Sequence, residues 1–143
     1  MVIKFDYKEE ASHLFGTIHR PVAHVQVQNI QTKAWELVTM LVDSGADYTL
    51  FPFWYTAALG IDLAQDCKSE VTSGVGGDAL VYIYQQDLPL RVGPWERKVP
   101  VGFLDHPNVP PLLGRQGFLD TFSVTLSNPH MYFILSYTRA LDR

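Results

Sequence analysis

Residues 41–51 read LVDSGADYTLF, an apolar run that stops at an acid and resumes only after a second acid has passed. Leu41 and Val42 have the character of a buried strand, and Asp43 sits where that strand should end. An ionised carboxylate is costly to bury unless it is paired or hydrogen-bonded. Asp43 therefore asks for a partner. Gly45 permits backbone geometry and close approach that a side chain would obstruct, and the Ser44 hydroxyl can bridge backbone groups and fix the loop. Alone, an Asp-Ser-Gly triplet is also ordinary turn chemistry, so the surrounding chain has to decide.

Outward from this stretch, most segments read as strands with turns at spacings of roughly 8–12 residues, as in compact β domains. Residues 2–7 alternate, with Ile3, Phe5 and Tyr7 on one face. In HRPVAHVQVQNI (19–30), Ala23, Val25 and Val27 alternate with His24, Gln26 and Gln28. A turn at Gln31-Thr32-Lys33 leads into a strand over 35–42, so a hairpin delivers the chain to Asp43. After Phe51, the stretch PFWYTAALG predicts a short helix with Pro52 at its start and Gly60 past its end.

Strands over 69–72 and 80–84 flank SGVGGD (73–78), and strands over 88–92 and 99–104 flank GPWE (93–96). HPNVPP (106–111) reads as a stiff loop, because its prolines lack donors for a central strand. Leu112-Leu113-Gly114-Arg115 precedes a short helix over 116–121, and strands over 122–127 and 131–136 are joined by a turn at Asn128-Pro129-His130. Without repeats, linkers or low-complexity tracts, residues 1–143 read as one domain. The expected class is mainly β, a closed or partly closed barrel with one or two short helices.

Composition narrows the function. A chain of 143 residues that is 47% hydrophobic and 18% charged suits one core. Its net charge of −4, with Arg97-Lys98 as the densest basic spot, argues against a nucleic-acid partner. The one cysteine, Cys67, cannot form an internal disulfide and reads as a structural thiol. MVIKFDYKEE lacks the apolar stretch of a signal peptide, and no run reaches the length of a membrane helix. The expectation is a soluble, cytoplasmic protein with no membrane partner. His13, His19 and His24 lack zinc-site spacing, so no metal or cofactor is expected. Glu9, Glu10, Asp62 and Asp66 read as solvated surface, and the aromatics of FWYTAAL as core or interface filler.

Two further motifs bear on Asp43. SGVGG (73–77) has three glycines, implying a tip able to lay its backbone against a ligand. PLLGRQGFLDTF (111–122) is an apolar pair and a glycine followed by a helix. Each alone would pass as a hairpin turn or a core strand entering a helix. In this order and spacing, LVDSGADYTLFP, SGVGG and LLGRQGFLDTF give a sequence that resembles the retropepsin-like aspartic proteases. These are the single-domain relatives of retroviral proteases, and the likeness to bacterial forms spans roughly residues 20–136.

The resemblance implies an aspartic endopeptidase, whose chemistry needs two carboxylates close together sharing one proton. This chain carries one Asp-Ser-Gly triplet. The resemblance therefore implies a symmetric homodimer in which Asp43 and its twin meet on the two-fold axis. It assigns Asp43, Ser44 and Gly45 to the catalytic loop, with the Ser44 hydroxyl crossing to the other subunit. Ala46, Asp47 and Tyr48 would line the cleft, Val75, Gly76 and Gly77 would cover it, and Pro110 and Leu112 would form an apolar pocket. The implied substrate is a polypeptide in extended conformation. By the same resemblance, Asp47 and Arg115 form a structural ion pair, while Gln116 departs from the Asp or Asn common after that arginine. Two other readings are a catalytically weak or inactive module of the same fold that dimerises or binds peptides, and an unrelated β-barrel binder in which Asp43 caps a turn.

Overall fold

Apolar residues at every second position give a strand one face to bury. The segment Val22–Gln28 follows that rule: Ala23, Val25 and Val27 are fully buried, while His24 among them is exposed. The structure is a computed structural model and describes residues 1–74, 76–106 and 108–137. The chain opens with β1 (Val2–Asp6), the hairpin β2 (Lys8–Ser12) and β3 (Gly16–Arg20), and then β4 (Val22–Gln28) and β5 (Trp35–Val42). β6 (Thr49–Pro52), α1 (Tyr55–Leu59) and α2 (Leu63–Asp66) follow, leading into β7 (Cys67–Gly74) and β8 (Gly77–Tyr84). Next come β9 (Leu88–Val92), β10 (Trp95–Val99), β11 (Val101–Leu104) and β12 (Leu112–Leu113). A 3-10 turn at Leu119–Thr121, β13 (Ser123–Ser127), a second 3-10 turn at Asn128–His130 and β14 (Tyr132–Ser136) complete the described chain.

The main sheet has nine strands in the order β10-β9-β4-β5-β12-β6-β11-β8-β7. A three-stranded sheet, β1-β14-β13, and the β2-β3 hairpin stand beside it. Between the layers, Met40, Phe51, Phe103, Phe118 and Phe133 are fully buried. The class is mainly β, as the alternation predicts, but the sheets do not close into a barrel. The reason lies in the edge strand β7, where only Cys67 is buried and Val71 is 70% exposed. Such a strand has no apolar face to pack against a closing neighbour. Among the described residues, no helix is long and apolar enough to cross a membrane.

Several expected elements shift for local reasons. Pro52 ends β6, pairing with Leu104, rather than opening the helix, although Gly60 (φ 70°) terminates α1 as expected. The expected pairing of 88–92 with 99–104 around residues 93–96 is corrected: β9 pairs with β10, which takes in Trp95 and Glu96. The strand expected over 99–104 begins only at Val101, after Pro100, which has no N–H to continue a ladder. That strand, β11, lies parallel to β6. The helix expected over 116–121 contracts to one 3-10 turn, because Gly117 adopts φ 69°. Two elements are new, the β2-β3 hairpin and α2. Asp62 caps α2, accepting from the Ala64 and Gln65 N–H groups, and Asp66 Oδ2 accepts from the Asp62 N–H. Asp62 is exposed, as the surface reading expected, and Asp66 half-buried, and both also hold the backbone of α2. Beside them Cys67 is buried, and its thiol is pushed up to about 11, chiefly by burial and then by Asp66 and Asp62.

Candidate active site

β5 and β6 are consecutive in sequence but not neighbours in the sheet. β12 lies between them, parallel to β5 and antiparallel to β6. Residues 43–48 must therefore arch over the end of β12, and that segment supplies the bonds that hold the arch. The Asp43 N–H donates to the Leu113 carbonyl at 3.0 Å, and Leu41 N–H to Pro111 at 2.9 Å. On the far side, Arg115 N–H donates to the Ala46 carbonyl at 3.0 Å and Gln116 N–H to the Asp47 carbonyl at 2.8 Å. Inside the loop, Ala46 N–H donates to the Asp43 carbonyl at 3.2 Å, and Gly45 N–H to Asp43 Oδ1 at 3.0 Å. A backbone without regular structure is thus fixed from both flanks.

Two small residues make the arch possible. A Cβ on Gly114 would lie 2.2 Å from both the carbonyl carbon and the oxygen of Tyr48, so only glycine lets the strands approach so closely. The Gly114 N–H donates at 3.2 Å to the hydroxyl of Thr49, which is fully buried. A Cβ on Gly45 would sit 3.2 Å from Asp43 Oδ1, crowding the carboxylate.

Asp43 itself is half-buried at the rim of the loop, and Ser44 and Gly45 beside it are exposed. The acid is thus not sealed inside the core that LVDSGADYTLF suggests. Arg115 Nη2 donates to Asp47 Oδ1 at 2.5 Å, bringing together the two residues named as an ion pair. Both side chains are well exposed, so the contact positions the loop more than it stabilises the fold. Ala46 is half-buried.

Tyr48 links the loop to the β7-β8 hairpin. Its ring lies over Gly102, where a Cβ would meet Tyr48 Cε2 at 2.8 Å and a Val81 methyl at 2.9 Å. Burial raises the Tyr48 hydroxyl above its ordinary range, helped by the charges of Asp47 and of Glu70 on β7. The hairpin is paired as far as Gly74↔Gly77, with φ 102° at Gly77 and a 2.6 Å bond from Ser73 Oγ to Asp78 Oδ1. Gly76 and Gly77 are exposed in open space, and Val75 lies outside the described residues.

Pro110 and Leu112 part company. Pro110 lines an open groove of about 330 Å³ with Val22 and Leu41, opposite Lys8, Glu10 and Arg20 from the β2-β3 hairpin. That groove is half charged rather than apolar, with Arg20 Nε 3.0 Å from Glu10 Oε2. Leu112 is half-buried instead between Leu41 and Leu50, its partners in the sheet. Sequence reasoning missed Thr49, Gly102 and the Glu10–Arg20 wall. No local signal marks them, since each matters through a contact far along the chain.

A family model described as aspartyl protease matches residues 19–116, well over half of the chain. The match takes in the Asp43 loop, the β7-β8 hairpin and Gly114-Arg115, and leaves out β1, β2, β13 and β14. No curated protein matches the chain.

Proposed function

The chain belongs to the retropepsin-like aspartyl protease family, and from that premise we propose that it is an endopeptidase whose catalytic pair is Asp43 and the partner's Asp43. The observation that carries this reading is the placement of Asp43, half-buried, at the rim of a loop whose backbone is braced by the β12 segment. A half-buried carboxylate on a braced loop suits a group that must meet a second one. Two like charges in contact cannot both ionise readily, which leaves one acid and one base. The pair then titrates as a unit.

In the proposed cycle the ionised member takes a proton from a water, whose oxygen attacks the peptide carbonyl carbon. The protonated member gives its proton to the carbonyl oxygen. Collapse of the resulting gem-diol breaks the C–N bond, and a proton passes to the leaving amine. No covalent intermediate, metal or cofactor takes part. Gly45 leaves room beside the carboxylate, and the Ser44 hydroxyl would brace the partner's loop. An extended polypeptide would lie between Ala46, Asp47 and Tyr48 below and the tip at Val75, Gly76 and Gly77 above. Pro110 and Leu112 would meet its side chains.

The test compares wild type with Asp43→Asn on a proteome-derived peptide library at acidic and neutral pH. Cleavage by wild type and none by an Asp43→Asn protein of equal size in solution is the expected result. Cleavage that survives Asp43→Asn would overturn the assignment, and a wild type that binds peptides without cutting them would favour a binding module.

A further inference from the structure

We propose that the groove beside the Asp43 loop selects polypeptides with a glutamate close to the cleaved bond, and that Lys8 and Arg20 set this preference. The inference rests on the reading of Asp43 as half of a catalytic pair and names the kind of substrate that pair would cut. Lys8 lies outside the residues that the family model matches, as does its neighbour Glu10.

The groove opens on the side of the sheet where alternation places the Asp43 side chain. Leu41 N–H donates to the Pro111 carbonyl and Asp43 N–H to that of Leu113, so the pairing of β5 with the β12 segment carries on through Asp43. Side chains two positions apart in a paired strand leave on the same side, about 7 Å from each other. Leu41 stands two positions before Asp43, and Val22, paired with Leu41, shares its side. Both line the groove, together with Pro110. A peptide whose carbonyl reached Asp43 would therefore set a neighbouring side chain over this floor. The groove measures about 330 Å³, the low end for ligand pockets, and suits one long side chain.

The opposite wall decides which side chain. It comes from the β2-β3 hairpin and carries Lys8, Glu10 and Arg20. Glu10 is shared between the two cations, with Lys8 Nζ 3.5 Å from Oε1 and Arg20 Nε 3.0 Å from Oε2. Two positive charges thus face one negative, and the wall keeps a surplus of one. The Arg20 contact is also incomplete, because its Nε is shielded from solvent yet donates no hydrogen bond. Buried donors are seldom left so, and a guanidinium has five N–H groups to offer. The hairpin is held against the strand that leads to Asp43, since Val42 N–H donates at 2.9 Å to the carbonyl of Pro21, where β3 runs into β4.

Glutamate answers both halves of the groove. Its methylene stem would lie on Val22, Leu41 and Pro110, and its carboxylate would reach Lys8 and the remaining N–H groups of Arg20. Lysine would meet the surplus positive charge, and leucine or glutamine would leave it unmatched. The catalytic pair holds one proton, so it opposes an acidic side chain with a single charge. That charge stands about 7 Å or more away, and attraction at contact distance outweighs it.

The test uses the full chain and the proteome-derived peptide library. Among the cleaved peptides, glutamate should be enriched within about two residues of the cut. Changing that glutamate to glutamine in a single peptide should lower kcat/KM about five- to tenfold. Lys8→Glu, at an exposed position, sets two carboxylates against Arg20 alone and should turn the preference towards lysine. The same change at Lys98, on β10, should leave the preference as it is. Asp43-dependent cleavage with no preference for glutamate, or with one that Lys8→Glu leaves intact or Lys98→Glu abolishes, overturns the role of the groove and leaves the catalytic pair standing. Binding is read separately, on immobilised Asp43→Asn protein. Glutamate-bearing peptides should be retained from the library, and lost when Lys8→Glu is added. Such retention without cleavage by wild type overturns the catalytic pair and upholds the groove, and neither retention nor cleavage overturns both.

Discussion

Three glycines around the candidate site should respond very differently to the same added methyl group. At Gly114 a Cβ would lie 2.2 Å from the Tyr48 carbonyl carbon and oxygen, and 2.7 Å from its Cα. All three are backbone atoms, so no rotamer change relieves the clash. The strand must move away, straining the Gly114–Thr49 and Arg115–Ala46 bonds with it. Overpacking costs about 1–3 kcal/mol, and each bond lost adds about 1 kcal/mol. Gly114→Ala should therefore cost roughly 3–5 kcal/mol, a fall of about 10–20 °C in Tm for a chain of this size. At Gly102 the nearest atoms are side-chain ones, from Tyr48, Val81 and Leu50, at 2.8–3.0 Å. These can yield in part, so Gly102→Ala should cost about 1–2 kcal/mol. At Gly76 nothing lies within 4 Å, and Gly76→Ala should be neutral within about 0.5 kcal/mol. Urea and thermal unfolding of the three variants would measure the order. A Gly114→Ala protein as stable as wild type, or less affected than Gly76→Ala, would refute the wedge of β12 as the device that holds the loop.

Other substitutions probe the surroundings. Arg115→Ala should lower stability by under about 1 kcal/mol, because its pair with Asp47 is exposed; cleavage, if present, should fall much further, as measured by kcat/KM. Asp62→Ala removes the acceptor for two N–H groups of α2 and should cost about 1 kcal/mol by urea denaturation. The Cys67 thiol, raised from 9.0 to about 11, should resist alkylation in the folded protein and react at once on unfolding. Since the unfolded chain loses that proton first, the stability Cys67 confers is intact below pH 9 and is lost as pH rises towards 11. The stability gap between wild type and Cys67→Ala should narrow across that range; a constant gap would count against burial as the cause.

What the sequence revealed divides by distance along the chain. The β4-β5 hairpin was legible because its alternation is strict and its turn is local, with Asn29 Oδ1 accepting from the Gln31 and Thr32 N–H groups. Gly60 announced the end of α1 for the same reason. The β2-β3 hairpin was missed because KEEASHLFGTIHR mixes charge and apolar residues without a clean period, and no residue of its strands is buried. The division at Pro100 was written in the sequence but was outweighed by the apolar run on either side. Parallel pairing of β11 with β6 and of β12 with β5 has no local sign at all. The same holds within the site. Asp43, Gly45, Asp47 and Arg115 stand in recognisable motifs, whereas Thr49 and Gly102 acquire meaning only through Gly114 and Tyr48.

The insertion of β12 between β5 and β6 also changes what the acid in LVDSGADYTLF requires. Had the two strands paired directly, a tight turn would have joined them and Asp43 would have been a cap. Separated by a strand, they need a longer arch, within which one backbone bond, from the Ala46 N–H to the Asp43 carbonyl, is made and other groups look outside the loop. The chain from Leu113 to Gln116 meets that need, taking the Asp43 N–H, the Ala46 and Asp47 carbonyls and the Asp47 carboxylate. These bonds commit the backbone of Asp43, Ala46 and Asp47 to holding the loop's shape. The Asp43 carboxylate accepts from the Gly45 N–H through Oδ1, and the residue stays half-buried at the rim beside exposed Ser44 and Gly45. In a purely structural loop that acid would be the easiest residue to replace. Asp43→Ala should accordingly leave the unfolding midpoint within about 1 kcal/mol of wild type while abolishing cleavage. A variant that unfolds with the loop would show instead that the carboxylate serves the fold and not the reaction.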